Sequence, residues 1–281
     1  MKKILVPIDF SKESQNALDF ARDICKETKS ELLLLHVLEL PSSSFNTVGE
    51  VQTVKPQGIY ELLLVKKTKE DLQKELQKLE DDNIQASSKL VFGNPYQNIT
   101  DLIPSENVDF IVMGSKGASG LSEILVGSNT ERVIRHATCP VLTIKAPIKL
   151  ENIQRIILST DSSPDQDTIL PTLKKLQKLI GFSVEVVLVR TSHNAISEES
   201  AKEFLEKYLE RNHLDTLPFY THSIYSKSVE SGIMSFAATK NLSLVAMATH
   251  GRTGLDHFFK GSISEDVANH AQLAILTMKI D

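Results

Sequence analysis

The chain repeats itself, and the repeat limits what it can fold into. Residues 111–145 (IVMGSKGASGLSEILVGSNTERVIRHATCPVLTIK) return without a gap as residues 245–279 (VAMATHGRTGLDHFFKGSISEDVANHAQLAILTMK), at an offset of 134. Gly117 falls on Gly251, Gly127 on Gly261, Ser128 on Ser262 and His136 on His270. The opening KKILVPID (2–9) returns as QRIILSTD (154–161) at an offset of 152, which sets Asp9 on Asp161. A unit written twice folds twice. Two domains are therefore expected, 1–146 and 147–281, each long enough to bury a core. The difference between the offsets, 152 − 134 = 18, is the net length the second copy lacks between its second strand and its Gly-rich loop.

Within each copy, buried strands alternate with amphipathic helices. Ile4 to Ile8 and Leu32 to Val37 are continuous apolar runs, the pattern of strands covered on both faces in a parallel sheet. Between them Ser11 offers a helix N-cap, and Ala17, Leu18, Ala21, Ile24 and Cys25 recur on one helical face. That spacing makes Cys25 a packing residue before a reactive thiol. Residues 40–58, rich in Ser, Gly, Pro and Val, read as a long loop without a counterpart in the second copy. A helix follows with Leu62, Val65, Leu72, Leu76 and Leu79 on one stripe. Then come a strand at Lys89 to Phe92, a helix near 96–105, the strand Asp109 to Met113, a Gly-rich loop, a helix from Ser128 and a last strand at Val141 to Ile144. The second copy runs Ile156 to Thr160, a helix start at Ser163-Pro164-Asp165-Gln166, Val184 to Val189, a helix at Ser200 to Arg211, and Leu244 to Met247. Such alternation predicts an α/β fold: two tandem Rossmann-like domains, each a five-stranded parallel sheet flanked by helices.

Composition narrows the function. A net charge of −5 argues against nucleic acid and acidic membrane surfaces as partners. The short apolar run at the N-terminus stops at Asp9 before any cleavage site, and no stretch approaches the roughly 20 apolar residues of a membrane span. Cys25 and Cys139 are the only cysteines, too few for a disulfide framework or a metal site. A reducing, cytoplasmic setting is the expectation.

The Gly-rich loop carries the chemistry. The first copy reads Gly114-x2-Gly117-x9-Gly127-Ser128, directly after a buried strand and before a helix. Ligands of open α/β sheets sit beyond the carboxyl ends of the strands. Glycines let the chain turn and let a ligand approach, and a helix N-terminus offers unpaired amides to an anion. A phosphate cradle fits. So does a plainer reading, because Ser128-Asn129-Thr130-Glu131 and Ser262-Ile263-Ser264-Glu265 are both capping-box patterns. Asp9, on the same sheet edge, can accept ribose hydroxyls or cap the adjoining helix. Val37 ends the second strand, where its backbone could meet an adenine edge, while its side chain says only core. The dinucleotide fingerprint and the GxxxxGK loop are both absent.

The segments ILVPIDFS (4–11), LLLHV (33–37), DFIVMGSKG (109–117) and LVGSNTERVIRHATCPVLTIK (125–145) resemble the universal stress protein family in its tandem form. ATHGRTGL (248–255) and KGSISEDV (260–267) match in the second copy. The resemblance implies an adenine nucleotide alpha hydrolase-like sheet and, in the ATP-binding branch of the family, a nucleotide pocket. By that analogy Asp9 contacts the ribose and Val37 the adenine through its backbone. Gly114, Gly117, Gly127 and Ser128 hold ribose and phosphates, with Ser115 and Asn129 beside them. ATP, with or without Mg, is the implied ligand. The resemblance also implies pairing of two units through the last strand, here Val141–Lys145 with Ile275–Lys279 inside one chain, and a further dimerisation of chains. The second copy departs at Ala248, which replaces Gly114. If that position needs positive φ, alanine costs about 1–2 kcal/mol, and its methyl would stand in a ligand's way. Asp161, Val189, Gly251, Gly261 and Ser262 are therefore expected to form a weaker second site.

No catalytic constellation stands out. His36 lies on a buried strand, where a hydrogen-bonded core histidine is favoured over a general base. His136 and His270 lie near the ends of matching helices, where they complement the dipole. His250 and Arg252 flank the second Gly loop, where contact with phosphate is conceivable. HExxH, CxxC and the nucleophile elbow are absent. The expectation is an ATP-binding stress-response protein that is not an enzyme. The alternatives are a nucleotide-free interaction scaffold, or an adenylate-forming or nucleotidyl-transfer enzyme on the same sheet.

Overall fold

The computed structural model describes residues 1–39, 45–48, 51–54, 58–115, 127–161, 164–194, 196–214, 218–242, 244–249 and 273–279. The first unit runs β1 (Lys3–Pro7), α1 (Lys12–Thr28), β2 (Glu31–Leu38), β3 (Phe45–Val48), β4 (Val51–Val54), α2 (Ile59–Asp81), β5 (Ala86–Phe92), α3 (Pro95–Ser105), β6 (Phe110–Gly114), α4 (Ser128–His136) and β7 (Val141–Ile144). The second runs β8 (Arg155–Ser159), a 3-10 segment (Pro164–Ile169), α5 (Leu170–Ile180), β9 (Ser183–Arg190), α6 (Glu198–Arg211), β10 (Phe219–Tyr225), α7 (Val229–Lys240), β11 (Leu244–Thr249) and β12 (Ala274–Lys279).

Ten strands make one sheet in the order β10-β9-β8-β11-β12-β7-β6-β1-β2-β5. Each half is a five-stranded parallel Rossmann-like unit. Its first strand lies between the second and the fourth, so the strand order reverses there. The halves meet where β7 and β12 pair antiparallel, with Leu142 opposite Leu276. Two buried threonines brace this seam reciprocally. The Thr143 hydroxyl donates to the Ile275 carbonyl at 3.2 Å, and that of Thr277 donates to the Val141 carbonyl at 3.1 Å. They are repeat partners, since 277 − 143 = 134.

Strand alternation divides the core into two layers. Ile4, Val6, Leu32 and Leu34 face α1, α2, α5 and α6, whereas Leu5, Leu33 and Leu35 face α3, α4 and α7. Both layers run through both halves: Phe20 and Ile24 of α1 share a cluster with Leu173 and Leu176 of α5. Cys25 and Cys139 are buried in these layers, and burial pushes both thiols up to about 12. Among the described residues no helix is long and apolar enough to cross a membrane.

Several local expectations need correction. The stretch read as one loop at 40–58 contains the antiparallel hairpin β3–β4, in register from Phe45–Val54 to Val48–Val51. Its two β-branched runs flank Gly49, an alternation that the surrounding Ser and Pro disguise. The apolar stripe of α2 is buried only from Thr68 onward, and Leu62 is 55% exposed. The expected helix start at Ser163 is instead a 3-10 turn from Pro164, with the α-helix beginning at Leu170. Ser163 lies outside the described residues.

Candidate functional site

The carboxyl end of β1 turns sharply into α1. Asp9 ends this turn with its Oδ1 accepting from the Ser11 amide at 3.0 Å and the Ser11 hydroxyl at 2.6 Å. Ser11 in turn caps α1, accepting from the Ser14 amide at 3.2 Å. Phe10, between them, is held at φ 62, a left-handed conformation uncommon for a bulky residue. Its ring stacks on His36 at 5.1 Å. His36 Nδ1 donates to the Ile8 carbonyl at 2.7 Å, because a carbonyl can only accept. Desolvation lowers the pKa of this buried imidazole, against opposing contributions from the Ile8 carbonyl and Asp9. The geometry is that of a hydrogen-bonded core histidine.

The carboxyl end of β6 meets the same place. Gly114 is buried against the first turn of α1: a Cβ there would lie 2.8 Å from the Glu13 carbonyl carbon, 2.9 Å from its oxygen and 3.0 Å from the Ser14 nitrogen. Its φ is not positive. Glycine is required here by the closeness of the helix backbone and not by a left-handed turn, so the backbone-strain cost considered for Ala248 does not arise. Ser115 then donates its amide to Ile144 at 3.0 Å and accepts from the Gly127 amide at 2.7 Å. The segment that leaves at Ser115 and returns at Gly127 is thus pinched at its base. Gly117 lies within it, outside the described residues.

The N-terminus of α4 faces this pinch. Its N-cap is Gly127, and no side chain caps it among the described residues. The capping box expected at Ser128 is therefore absent: Ser128 is already the first helical residue, and Glu131 donates its amide to the Gly127 carbonyl at 3.0 Å. The Thr130 hydroxyl reaches across to the Gly114 carbonyl at 3.0 Å, tying the helix to the strand end.

Between these elements lies a cleft of about 400 Å³ whose walls include Asp9, Ser14, Val37, Glu39, Gly114, Gly127, Ser128 and Asn129. That size is within the range of roughly 300–1,000 Å³ usual for small-molecule sites. Of the first-site residues read from the sequence, Asp9, Val37, Gly114, Gly127, Ser128 and Asn129 share this one cleft, and Ser115 supplies its pinch. Reading the sequence missed Ser14, Glu39 and Thr130. Ser14 is buried in the first turn of α1, where its hydroxyl accepts from the Asp9 amide at 3.4 Å.

The second half has a cleft in the matching place, about 350 Å³, lined among others by Asp161, Gln166, Val189, Asn194 and Ala248. Asp161 and Val189 are thus brought together. Gly251, Gly261, Ser262, His250, Arg252 and His270 lie outside the described residues. The sequence profile of the universal stress protein family matches residues 1–145 and again 152–279. The chain belongs to the universal stress protein family. It is 34% identical over 151 residues to a universal stress protein of Methanocaldococcus jannaschii, a match covering 53% of this chain and 84% of the relative. It is 32% identical over 145 residues to the universal stress protein YxiE of Bacillus subtilis, covering 51% of this chain and 98% of the relative. Among solved structures, a universal stress protein from Archaeoglobus fulgidus aligns with a TM-score of 0.74 over 99% of this chain and 96% of its own, at 23% identity. That likeness speaks to the fold alone. It extends across both units of the tandem.

Proposed function

We propose that this universal stress protein binds an adenine nucleotide, ATP as the leading case, in the cleft of its first half, and that it acts in the stress response as a binding module and not as an enzyme. The observation that carries this is the N-terminus of α4, which no side chain caps among the described residues, lining a cleft at the sheet's switch point. Amides at a helix start favour an anion, and the positive end of the helix dipole adds to that preference. The phosphates would lie against Gly127, Ser128 and Asn129, the ribose near Asp9, and the base beside Val37. Mg would accompany the phosphates, neutralising their charge. The setting we propose is the cytoplasm, with chains that pair further in solution.

Titration calorimetry with ATP tests the reading. Ser128→Glu places a carboxylate at the first helical position, where the dipole tolerates or favours it, so the fold persists while the phosphates are repelled. Loss of ATP binding by at least tenfold with unchanged thermal stability is the expected outcome. Equal affinity in the variant and the wild type would refute it.

A further inference from the structure

The two clefts are built on the same plan, so their differences are informative. In the first, Asp9 donates its amide to the Ser14 hydroxyl at 3.4 Å. In the second, the Asp161 amide goes to Gln166 Oε1 at 2.9 Å. Gln166 is the repeat partner of Ser14, since 166 − 14 = 152. A longer side-chain amide thus stands where the first half has a hydroxyl.

A larger difference sits at the end of β9. Asn194 Nδ2 donates to the Val189 carbonyl at 3.0 Å, and its Oδ1 accepts from the Thr191 amide at 2.8 Å. One side chain therefore satisfies the carbonyl of a residue and the amide two positions later. An adenine presents the same pair to a backbone through its amino group and its N1. Val189 is the repeat partner of Val37, and Thr191 of Glu39, at the offset of 152. Among the described residues no side chain bonds to the Val37 carbonyl or the Glu39 amide, and both residues line the first cleft.

We infer that Asn194 shuts the second cleft to adenine nucleotides by occupying the backbone pair that would read the base, with Gln166 narrowing the ribose end. The inference rests on the reading of the first cleft for where a base would lie. It replaces the Ala248 methyl as the reason for asymmetry between the halves. A nucleotide entering the second cleft must displace an intramolecular amide already in place, and the backbone groups gain nothing from the exchange. The two halves then differ in occupancy although their sheets are equivalent.

The full-length chain, wild type and the Asn194→Ala/Gln166→Ser double variant, is titrated with ATP by calorimetry. Sites of 8-azido-ATP crosslinking are then mapped by mass spectrometry. Asn194 is exposed, so its truncation leaves the core intact. The double variant is expected to bind one more equivalent of ATP per chain than the wild type, at least tenfold more tightly than any residual second binding. New label should fall on β9 or on the turn after it. A double variant that gains no equivalent overturns the inference, and so does a wild type that already binds two equally. A wild type that binds none, beside a double variant that binds one in the second half, upholds the inference and removes instead the reading of the first cleft.

Discussion

Replacing Gly114 by alanine separates two explanations for that glycine by the sign of the effect. If glycine served only chain flexibility or ligand access, the methyl would stabilise the fold by about 0.5–1 kcal/mol, through lower entropy of the unfolded chain. The structure requires the opposite. The new Cβ would come within 2.8–3.0 Å of backbone atoms of Glu13 and Ser14. No rotamer relieves contacts made by backbone, so the first turn of α1 must move off β6. Overpacking of this kind costs about 1–3 kcal/mol, and each kcal/mol lowers the melting temperature by about 2–4 °C in a chain of this order of size. Urea unfolding followed by circular dichroism, with a thermal scan beside it, measures the change. The second half explains how alanine is tolerated at the matching place. β11, which carries Ala248, packs beside the 3-10 segment Pro164–Ile169, where the first half has the first turn of an α-helix against β6. A Gly114→Ala protein as stable as the wild type, or more so, would refute this account of the glycine.

Two further outcomes follow from the seam and the buried imidazole. Thr143→Val and Thr277→Val each keep side-chain volume but remove a buried hydroxyl donor from a carbonyl across β7–β12. Each should cost about 1 kcal/mol in urea unfolding, nearly equally, because the pair is reciprocal. A loss confined to one of them would contradict the symmetry. His36 has a folded-state pKa below its ordinary value of about 6.5. Above that value both states hold the neutral ring. As pH falls through it towards the folded value, the unfolded chain takes up the proton first, and stability is lost. His36→Asn should flatten the stability profile below about pH 6.5. In the wild type the His36 ring signals should titrate below that pH in NMR, and a midpoint at or above it would sink the burial argument.

What the sequence disclosed were features written in single segments. The strand runs Ile4 to Ile8 and Leu32 to Val37, the Ser11 cap and the duplication itself announce the tandem α/β architecture, because each depends on neighbours along the chain. The hairpin at 45–54 was hidden among Ser and Pro, and the Ser128 capping box was an illusion of pattern. Whether a serine caps a helix depends on where the chain enters it, and here the entry is fixed from outside, by the pinch between Ser115 and Gly127. Ser14, Thr130 and Asn194 were illegible for a related reason. Thr130 acts on the Gly114 carbonyl, which only tertiary folding brings near, whereas Ser14 and Asn194 act on backbone groups of their own turns, whose conformation no residue pattern announces. Gln166 falls on Ser14 at the repeat offset of 152, yet its sequence reads only as part of a helix start, because its role shows only once the cleft is formed.

The seam bears on why a half with an altered cleft retains its whole fold. Val141, Leu142 and Ile144 of β7 are almost fully buried, and β12 is the strand that pairs with this side of β7. Without it β7 would be an apolar edge with unpaired backbone groups, the kind of surface that associates indiscriminately. The second half therefore has a structural duty that does not depend on its cleft: it covers the edge of the first half and completes both layers of the core. Side chains at the end of β9 lie three strands along the sheet order from β12 and can change without disturbing the seam. The strands at the seam cannot. Divergence is expected where it is found, in Asn194, Gln166 and Ala248 around the second cleft, while Thr143 and Thr277 keep the pairing that makes one molecule of two units.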